Sequence, residues 1–221
     1  MTLSALGATM YPAEDGEPRA LLVLAHGAGA GQTHPFMVAT ARGLARRGVD
    51  VVTFDFPYMA KRRGAPDRPP VLEASFRRAI DAARAWSRSP RMFIGGKSMG
   101  GRIATHLGAQ AGNAEAAPDG RIDGLDGIVA LGYPLHPPGK PDQPRIAHLP
   151  DIAVPVLIVQ GERDAFGTPA ELEPVVRTMR ARVTLHVVAG ADHSLSVRGK
   201  KGAAIHDDVL DVIRRWMDQP S

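Results

Sequence analysis

The 221-residue sequence predicts an α/β fold, a mostly parallel central sheet with helices on both faces, in one domain spanning residues 1–221. Three observations lead there. Short apolar runs alternate with segments of helical spacing along nearly the whole chain. Several runs, such as Ala20–Ala25 and Ile128–Leu131, are apolar at every position, which suits strands buried on both faces. Neither an internal repeat nor a linker interrupts the alternation, so right-handed crossovers can join the strands in sequence.

Residues 2–12 carry a weak strand pattern and predict an edge strand, followed by a turn at Asp15-Gly16-Glu17-Pro18. The run Ala20–Ala25 is the first buried strand and ends in His26-Gly27-Ala28-Gly29-Ala30-Gly31. His34-Pro35 opens a helix, with proline in its first turn; Met37, Ala41 and Leu44 form its apolar stripe and Gly48 stops it. Val49–Phe56 is the next strand, closed by Pro57-Tyr58, and Lys61–Pro70 is a basic, proline-rich loop. Leu72, Phe76, Ala79, Ile80 and Ala83 recur at helical spacing up to Trp86. Met92–Ile94 predicts a short strand, and Arg102–Leu107 has helical spacing again. A small-residue loop, Gly112–Gly120, leads to the strand Ile128–Leu131 and the turn Gly132-Tyr133-Pro134. Leu135–Asp151 is rich in proline and has no helical period. The strand Val154–Gln160 ends at Gly161-Glu162-Arg163-Asp164; Leu172, Val175, Val176 and Met179 mark a helix. Val183–Val188 is the last strand, ending at Gly190-Ala191-Asp192-His193, and Ile205, Val209, Val212, Ile213 and Trp216 mark the closing helix.

The chain is organised around Gly96-Lys97-Ser98-Met99-Gly100. A serine between two glycines, on a turn from strand to helix, is the pattern of a nucleophile elbow, G-x-S-x-G. The glycines stand where a Cβ would collide with neighbouring backbone, and the turn lifts the serine hydroxyl above the sheet edge. Gly-Lys-Ser also ends a phosphate-binding P-loop, but that motif needs a glycine where Arg91 stands.

A serine hydroxyl needs a base to take its proton and a carboxylate to orient that base. Behind an elbow the partners follow in the order serine, acid, histidine. Here that order is Ser98, Asp164, His193, each at the carboxyl end of a strand, where open parallel sheets bind ligands. Glu162 and Asp192 are rival acids. His106, His136, His148, His186 and His206 lie inside elements, in the proline-rich loop, or at a helix start, and read as structural or solvated. Oxyanion donors in such a site are the backbone N–H after the nucleophile and one from an early strand-end loop. These are Met99 and Ala28, with Gly27 or Gly29 as substitutes.

Composition narrows the classes further. Apolar residues make up 44% of the chain, enough for a core. There are no cysteines, which removes disulfides, thiolate metal sites and a cysteine nucleophile, and suits a reducing compartment. No metal-binding histidine spacing and no dinucleotide fingerprint occur, so no metal and no cofactor is expected. The N-terminus carries no signal-peptide pattern, and no apolar run approaches the ~18–20 residues of a membrane span, so the expectation is a soluble cytoplasmic protein without a membrane partner. Twenty-seven basic residues against 23 acids give a formal charge of +4, too mild to call for a nucleic-acid partner.

Leu24–Gly31, Phe56-Pro57-Tyr58, Gly96–Arg102, Gly132–Gly139, Gly161–Asp164 and Ala191–Leu195 together resemble the α/β-hydrolases. Within them the chain is similar to the small dienelactone-hydrolase-like branch, whose domain also occurs in a subunit of the animal non-specific-lethal acetyltransferase complex. The resemblance spans nearly the whole chain. It implies the α/β-hydrolase fold and a triad carried onto Ser98, Asp164 and His193, but no particular substrate. Dienelactone hydrolases themselves use a cysteine nucleophile, which this chain lacks. Some relatives are scaffolds, so a non-catalytic protein-interaction module is the alternative function.

Caps in this fold are inserted where Leu135–Pro150 stands, a segment too short and proline-rich for a helical lid. The expectation is an open site with no cap domain, walled by this loop and the Phe56-Pro57-Tyr58 turn. Gly27, Phe56, Tyr58 and Lys97 are the expected substrate contacts. Lys61, Arg62, Arg63, Lys97, Arg102, Lys140, Arg198, Lys200 and Lys201 follow strand ends and predict a positive rim that attracts anionic substrates. A solvated surface in an arginine-rich chain would give the same composition. The predicted activity is hydrolysis of an ester or related acyl bond in a small molecule.

Overall fold

The computed structural model describes residues 2–14, 16–112, 122–197 and 207–220. Most of the Gly112–Gly120 loop, together with Arg198, Lys200, Lys201, Ile205 and His206, lies outside them. Among the described residues one sheet holds β1 (Thr9–Tyr11), β2 (Ala20–Ala25), β3 (Val49–Phe54), β4 (Met92–Lys97), β5 (Gly127–Leu131), β6 (Val156–Gly161) and β7 (Val183–Val188). The order across it is β1-β3-β2-β4-β5-β6-β7. β1 runs antiparallel to β3, and every other pair is parallel.

The apolar runs become the central strands because both faces are covered. α1 (Pro35–Ala45) and α6 (Asp207–Met217) lie on one face; α2 (Pro57–Ala60), α3 (Pro69–Trp86), α4 (Met99–Gly112) and α5 (Pro169–Val176) are the remaining helices. Period-two alternation divides each strand between the two layers. Leu21, Val23 and Ala25 pack with Phe76, Ile80, Ile103 and Leu107 of α3 and α4. Ala20, Leu22 and Leu24 pack with Met37, Leu44, Ile213 and Trp216 of α1 and α6. The edge strand β7 is only half-buried over most of its length.

Local chemistry sets the helix starts. Pro35 sits in the first turn of α1, and the His34 side chain accepts the Phe36 N–H at 3.3 Å. Thr168 and Glu171 form a reciprocal capping box at α5. The elements differ from the sequence reading at several points, the strand after the proline-rich segment running Val156–Gly161 and the helix after it ending at Val176. The opening segment is a 3₁₀ turn, Ser4–Leu6, before the short β1. Pro57 starts the one-turn α2 instead of merely closing a strand. β4 runs on through Gly95 and Gly96 to Lys97, because its ladder with β5 continues to the Lys97–Leu131 pair.

Between β5 and β6, residues 132–155 form no α-helix, only the 3₁₀ turn Leu149–Asp151. This long connection is pinned internally: the Tyr133 hydroxyl donates to the Arg145 carbonyl at 2.6 Å, and the Arg145 N–H to the Leu135 carbonyl at 2.7 Å. No described helix is long and apolar enough to cross a membrane.

Candidate active site

The turn from β4 into α4 sets Ser98 at φ 50°, a left-handed backbone that a side chain adopts only under constraint. The constraint is the close approach of β2. A Cβ on Gly96 would lie 2.6 Å from the Gly100 carbonyl carbon, and one on Gly100 2.7 Å from the Ala25 carbon and the His26 oxygen. Only glycine lets the strand, the turn and α4 pass so near one another. The hydroxyl of Ser98 therefore stands at the mouth of the sheet.

Two loops meet it there. His193, after β7, has Nε2 2.9 Å from Ser98 Oγ. Its Nδ1 lies 2.8 Å and 3.0 Å from the two carboxylate oxygens of Asp164, which follows β6. Asp164 only accepts, so Nδ1 carries the proton and Nε2 is left to receive the serine hydroxyl. The aspartate is 1% exposed. Its Oδ1 accepts the Phe166 N–H at 2.8 Å and its Oδ2 accepts from Gln160 Nε2 at 2.9 Å. The Phe166 ring stacks on the His193 imidazole, centroids 4.1 Å apart. A serine, imidazole and buried carboxylate in this chain of contacts form an arrangement that can make a hydroxyl nucleophilic.

The rival acids point elsewhere. Glu162 accepts the Gly190 N–H at 2.7 Å, and Asp192 caps its own turn by accepting from Ser194 and Ser196. His136 reaches Glu171, while His106 and His148 pack against each other.

The His26-Gly27-Ala28 loop lies beside Ser98; a Cβ on Gly27 would sit 3.7 Å from the serine Cβ. Its orientation is held from behind. His26 is fully buried, donates Nδ1–H to the Gly27 carbonyl at 2.7 Å, and accepts the Phe56 N–H on Nε2 at 3.0 Å. Burial, opposed by the Gly27 bond and Asp55, lowers its pKa, so it is neutral. Asp55 lies 3.6 Å from Nε2, but that nitrogen is already an acceptor, so the contact is no ion pair in this state. The Tyr58 hydroxyl donates to the Ala28 carbonyl at 2.9 Å and is shared with the Gly27 carbonyl at 3.3 Å. The Gly27–Ala28 peptide is trans. With the Gly27 C=O drawn toward His26 and Tyr58, the Ala28 N–H faces the opposite way.

A cavity of about 690 Å³ opens over these groups, lined by Ser98, Met99, His193, Gly27 and Ala28 among others. Its walls are Phe36 and Met37 of α1, the 66–72 segment, and Pro134 and Arg145 of the long connection. Phe56 and Tyr58 do not line it, which corrects their reading as substrate contacts. Both are fully buried beneath the loop, where Phe56 packs edge-on to His26 and Tyr58 anchors carbonyls. Burial, then Asp55 and Asp67, pushes the Tyr58 phenol up to about 12. Gly27 and Lys97 do line the cavity, yet the Lys97 ammonium donates to the His193 carbonyl at 2.6 Å, tying β4 to the histidine loop. Burial, partly offset by Asp164 and Asp192, brings it down to about 8. The expected rim is also thinner than the sequence suggests. Lys61, Arg62, Arg63 and Lys140 are exposed and lie outside the cavity lining, whereas Lys97 and Arg102 are in it.

Gln160 and Phe166 escaped the sequence reading. Gln160 carried one usable signal, a lone polar residue closing an apolar run, and it is fully buried. Phe166 carried none, since its position over His193 depends on the fold of the loop after β6.

Solved structures share this architecture at low identity. A serine hydrolase homologue from Coxiella burnetii superposes with a TM-score of 0.69 at 16% identity, covering 95% of this chain and 88% of that one. Est1E from Butyrivibrio proteoclasticus gives 0.70 at 14%, covering 95% and 92%. Dienelactone hydrolase from Anabaena variabilis gives 0.66 at 19%, covering 95% and 89%. At these identities the likeness speaks for the fold. Residues 18–219, nearly the whole chain, match the family model described as alpha/beta hydrolase domain, and the protein belongs to that family.

Proposed function

We propose that the protein is a serine hydrolase that cleaves a carboxylic ester or related acyl bond of a small molecule, in the cytoplasm and without a cofactor. The observation that carries this reading is the 2.9 Å contact of His193 Nε2 with Ser98 Oγ, backed by Asp164 on the other ring nitrogen. Ser98 Oγ attacks the acyl carbon while its proton passes to His193 Nε2. The negative charge that develops on the acyl oxygen is met by the N–H groups of Met99, at the start of α4, and Ala28. The trans Gly27–Ala28 peptide, its carbonyl drawn backward by His26 and Tyr58, supports Ala28 in that role. The imidazolium, stabilised by Asp164, then protonates the leaving oxygen, and the alcohol departs. Water takes its place, gives a proton to His193 and attacks the acyl-serine; the carboxylic acid leaves and Ser98 regains its proton.

The direct test is labelling by a fluorophosphonate, which reports an activated serine without knowledge of the substrate. Wild type is expected to label and Ser98→Ala to lose both label and esterase activity. A folded wild type that neither labels nor hydrolyses any of an ester and thioester panel refutes the proposal and favours an interaction module on this fold.

A further inference from the structure

Arg102, on α4 one turn beyond Ser98, and Arg145, on the connection between β5 and β6, both line the cavity. Among the described residues neither guanidinium has a carboxylate oxygen within 4.0 Å. Arg102 makes no side-chain hydrogen bond there, and Arg145 only a 3.5 Å contact to the Pro134 carbonyl. Exposed arginines of this chain often stand alone, but the other half-buried ones described, Arg47, Arg77, Arg84 and Arg91, each hold a side-chain acceptor. Arg47, Arg63, Arg91 and Arg214 each hold an aspartate at 3.2 Å or less. The acid closest in role, Glu73, is occupied by His106 at 3.1 Å and Gln110 at 2.9 Å. The lining aspartate, Asp67, is held by Arg63 through Oδ1 at 2.7 Å, while its buried Oδ2 has no hydrogen-bond partner among the described residues. Both arginines are half-buried, and burial followed by the neighbouring charge of Arg145, opposed by Tyr133 and Glu73, lowers the pKa of Arg102. Two like charges that repel one another on one cavity wall, partly out of water, are an unfavourable arrangement that an anion bound there would relieve.

Their placement is enforced rather than incidental. Arg102 follows from the register of α4 after the elbow. Arg145 is drawn in because its own backbone is bonded to Tyr133 and Leu135. Two planar guanidinium forks present donors suited to the two oxygens of a carboxylate.

We infer that Arg102 and Arg145 form a carboxylate-binding subsite, and that the substrate is an ester bearing a free carboxylate, such as a monoester of a dicarboxylic acid. The inference rests on the hydrolase reading for its turnover arm, but the subsite can be read without turnover.

The experiment pairs para-nitrophenyl monoesters of dicarboxylic acids, from succinic to suberic, with their methyl-capped counterparts, after subtraction of spontaneous hydrolysis. Wild type is expected to favour the acid member of at least one pair in kcat/KM, by about ten- to hundredfold. Arg102→Gln and Arg145→Gln are expected to erase that ratio, while Arg78→Gln, an exposed arginine on the outer side of α3, keeps it. In parallel, free adipate and suberate are titrated calorimetrically into unlabelled protein. Binding by wild type that is lost in either arginine variant supports the subsite even if no ester is turned over. Equal or reversed preference within every pair, or absence of dicarboxylate binding by wild type, overturns it. Failed fluorophosphonate labelling with intact dicarboxylate binding overturns the hydrolase reading alone. Should Arg102→Gln fail to fold, Arg145→Gln in the loop carries the same test.

Discussion

Tyr58→Phe separates two accounts of one residue. The sequence suggests a substrate contact, whereas the fold buries the ring and turns its hydroxyl onto the Ala28 and Gly27 carbonyls. Removing the oxygen deletes about one hydrogen bond's net worth, roughly 1 kcal/mol, and lowers the melting temperature by about 2–4 °C for a chain of this size. The catalytic effect is larger in kind. Complete loss of an oxyanion donor costs about 10²–10³ in kcat. Here the Gly27 carbonyl keeps its shorter bond to His26, at 2.7 Å, so the peptide loses one of two restraints and its N–H is misaimed part of the time. The expected fall in kcat is about three- to thirtyfold, within that ceiling. KM for a neutral ester should stay put, because the ring does not reach the cavity. The shape of the pH profile should not change either, since a phenol near 12 does not titrate in the working range. Steady-state kinetics on a short-chain para-nitrophenyl ester, with a thermal melt of the same sample, decides it. A melt that drops with kcat unchanged would reduce Tyr58 to a structural role. A raised KM with kcat intact would restore the substrate-contact reading.

Other perturbations address the support of the site. Gln160 accepts the Tyr133 N–H and donates to Asp164 and the Gly167 carbonyl, so Gln160→Met should cost about 2–4 kcal/mol in unfolding free energy. It should also depress kcat more than it raises KM; a stability loss with kcat preserved would show that Asp164 needs no help from Gln160. Burial lowers the pKa of both His26 and His148, the latter to about 3 with His106 and Arg102 adding to the effect. The unfolded chain protonates both near pH ~6.5, where the folded chain does not, so stability is full above that pH and falls as pH drops below it. Urea unfolding at a series of pH values should show this slope, shallower in His148→Gln; an unchanged slope in that variant would assign the acid sensitivity to other groups.

Much of this molecule is readable in one dimension. Fully apolar runs such as Leu21–Ala25 can only be satisfied between two helical layers, and their alternation with 3.6-period segments leaves a parallel sheet as the economical solution. The elbow is legible for the same reason, since glycines that permit close backbone passage are written into the motif. Asp164 and His193 could be placed because each ends a strand, and strand ends share one edge of a parallel sheet. Side-chain direction is a different matter. Phe56 and Tyr58 follow a strand end just as Gly27 does, yet α2 turns both rings inward under the His26 loop. Lys61, Arg62 and Lys140 share with Arg102 the property of following a strand, but of these only Arg102, set by the helical register after Ser98, reaches the cavity. Arg145, far from any strand in a segment without period, reaches it through bonds to Tyr133 and Leu135. Local patterns determined which backbone elements form and what chemistry they carry to the sheet edge. Which side chains face the cavity, and which hold it from behind, depended on packing between segments distant in sequence, and only the tertiary structure decided that.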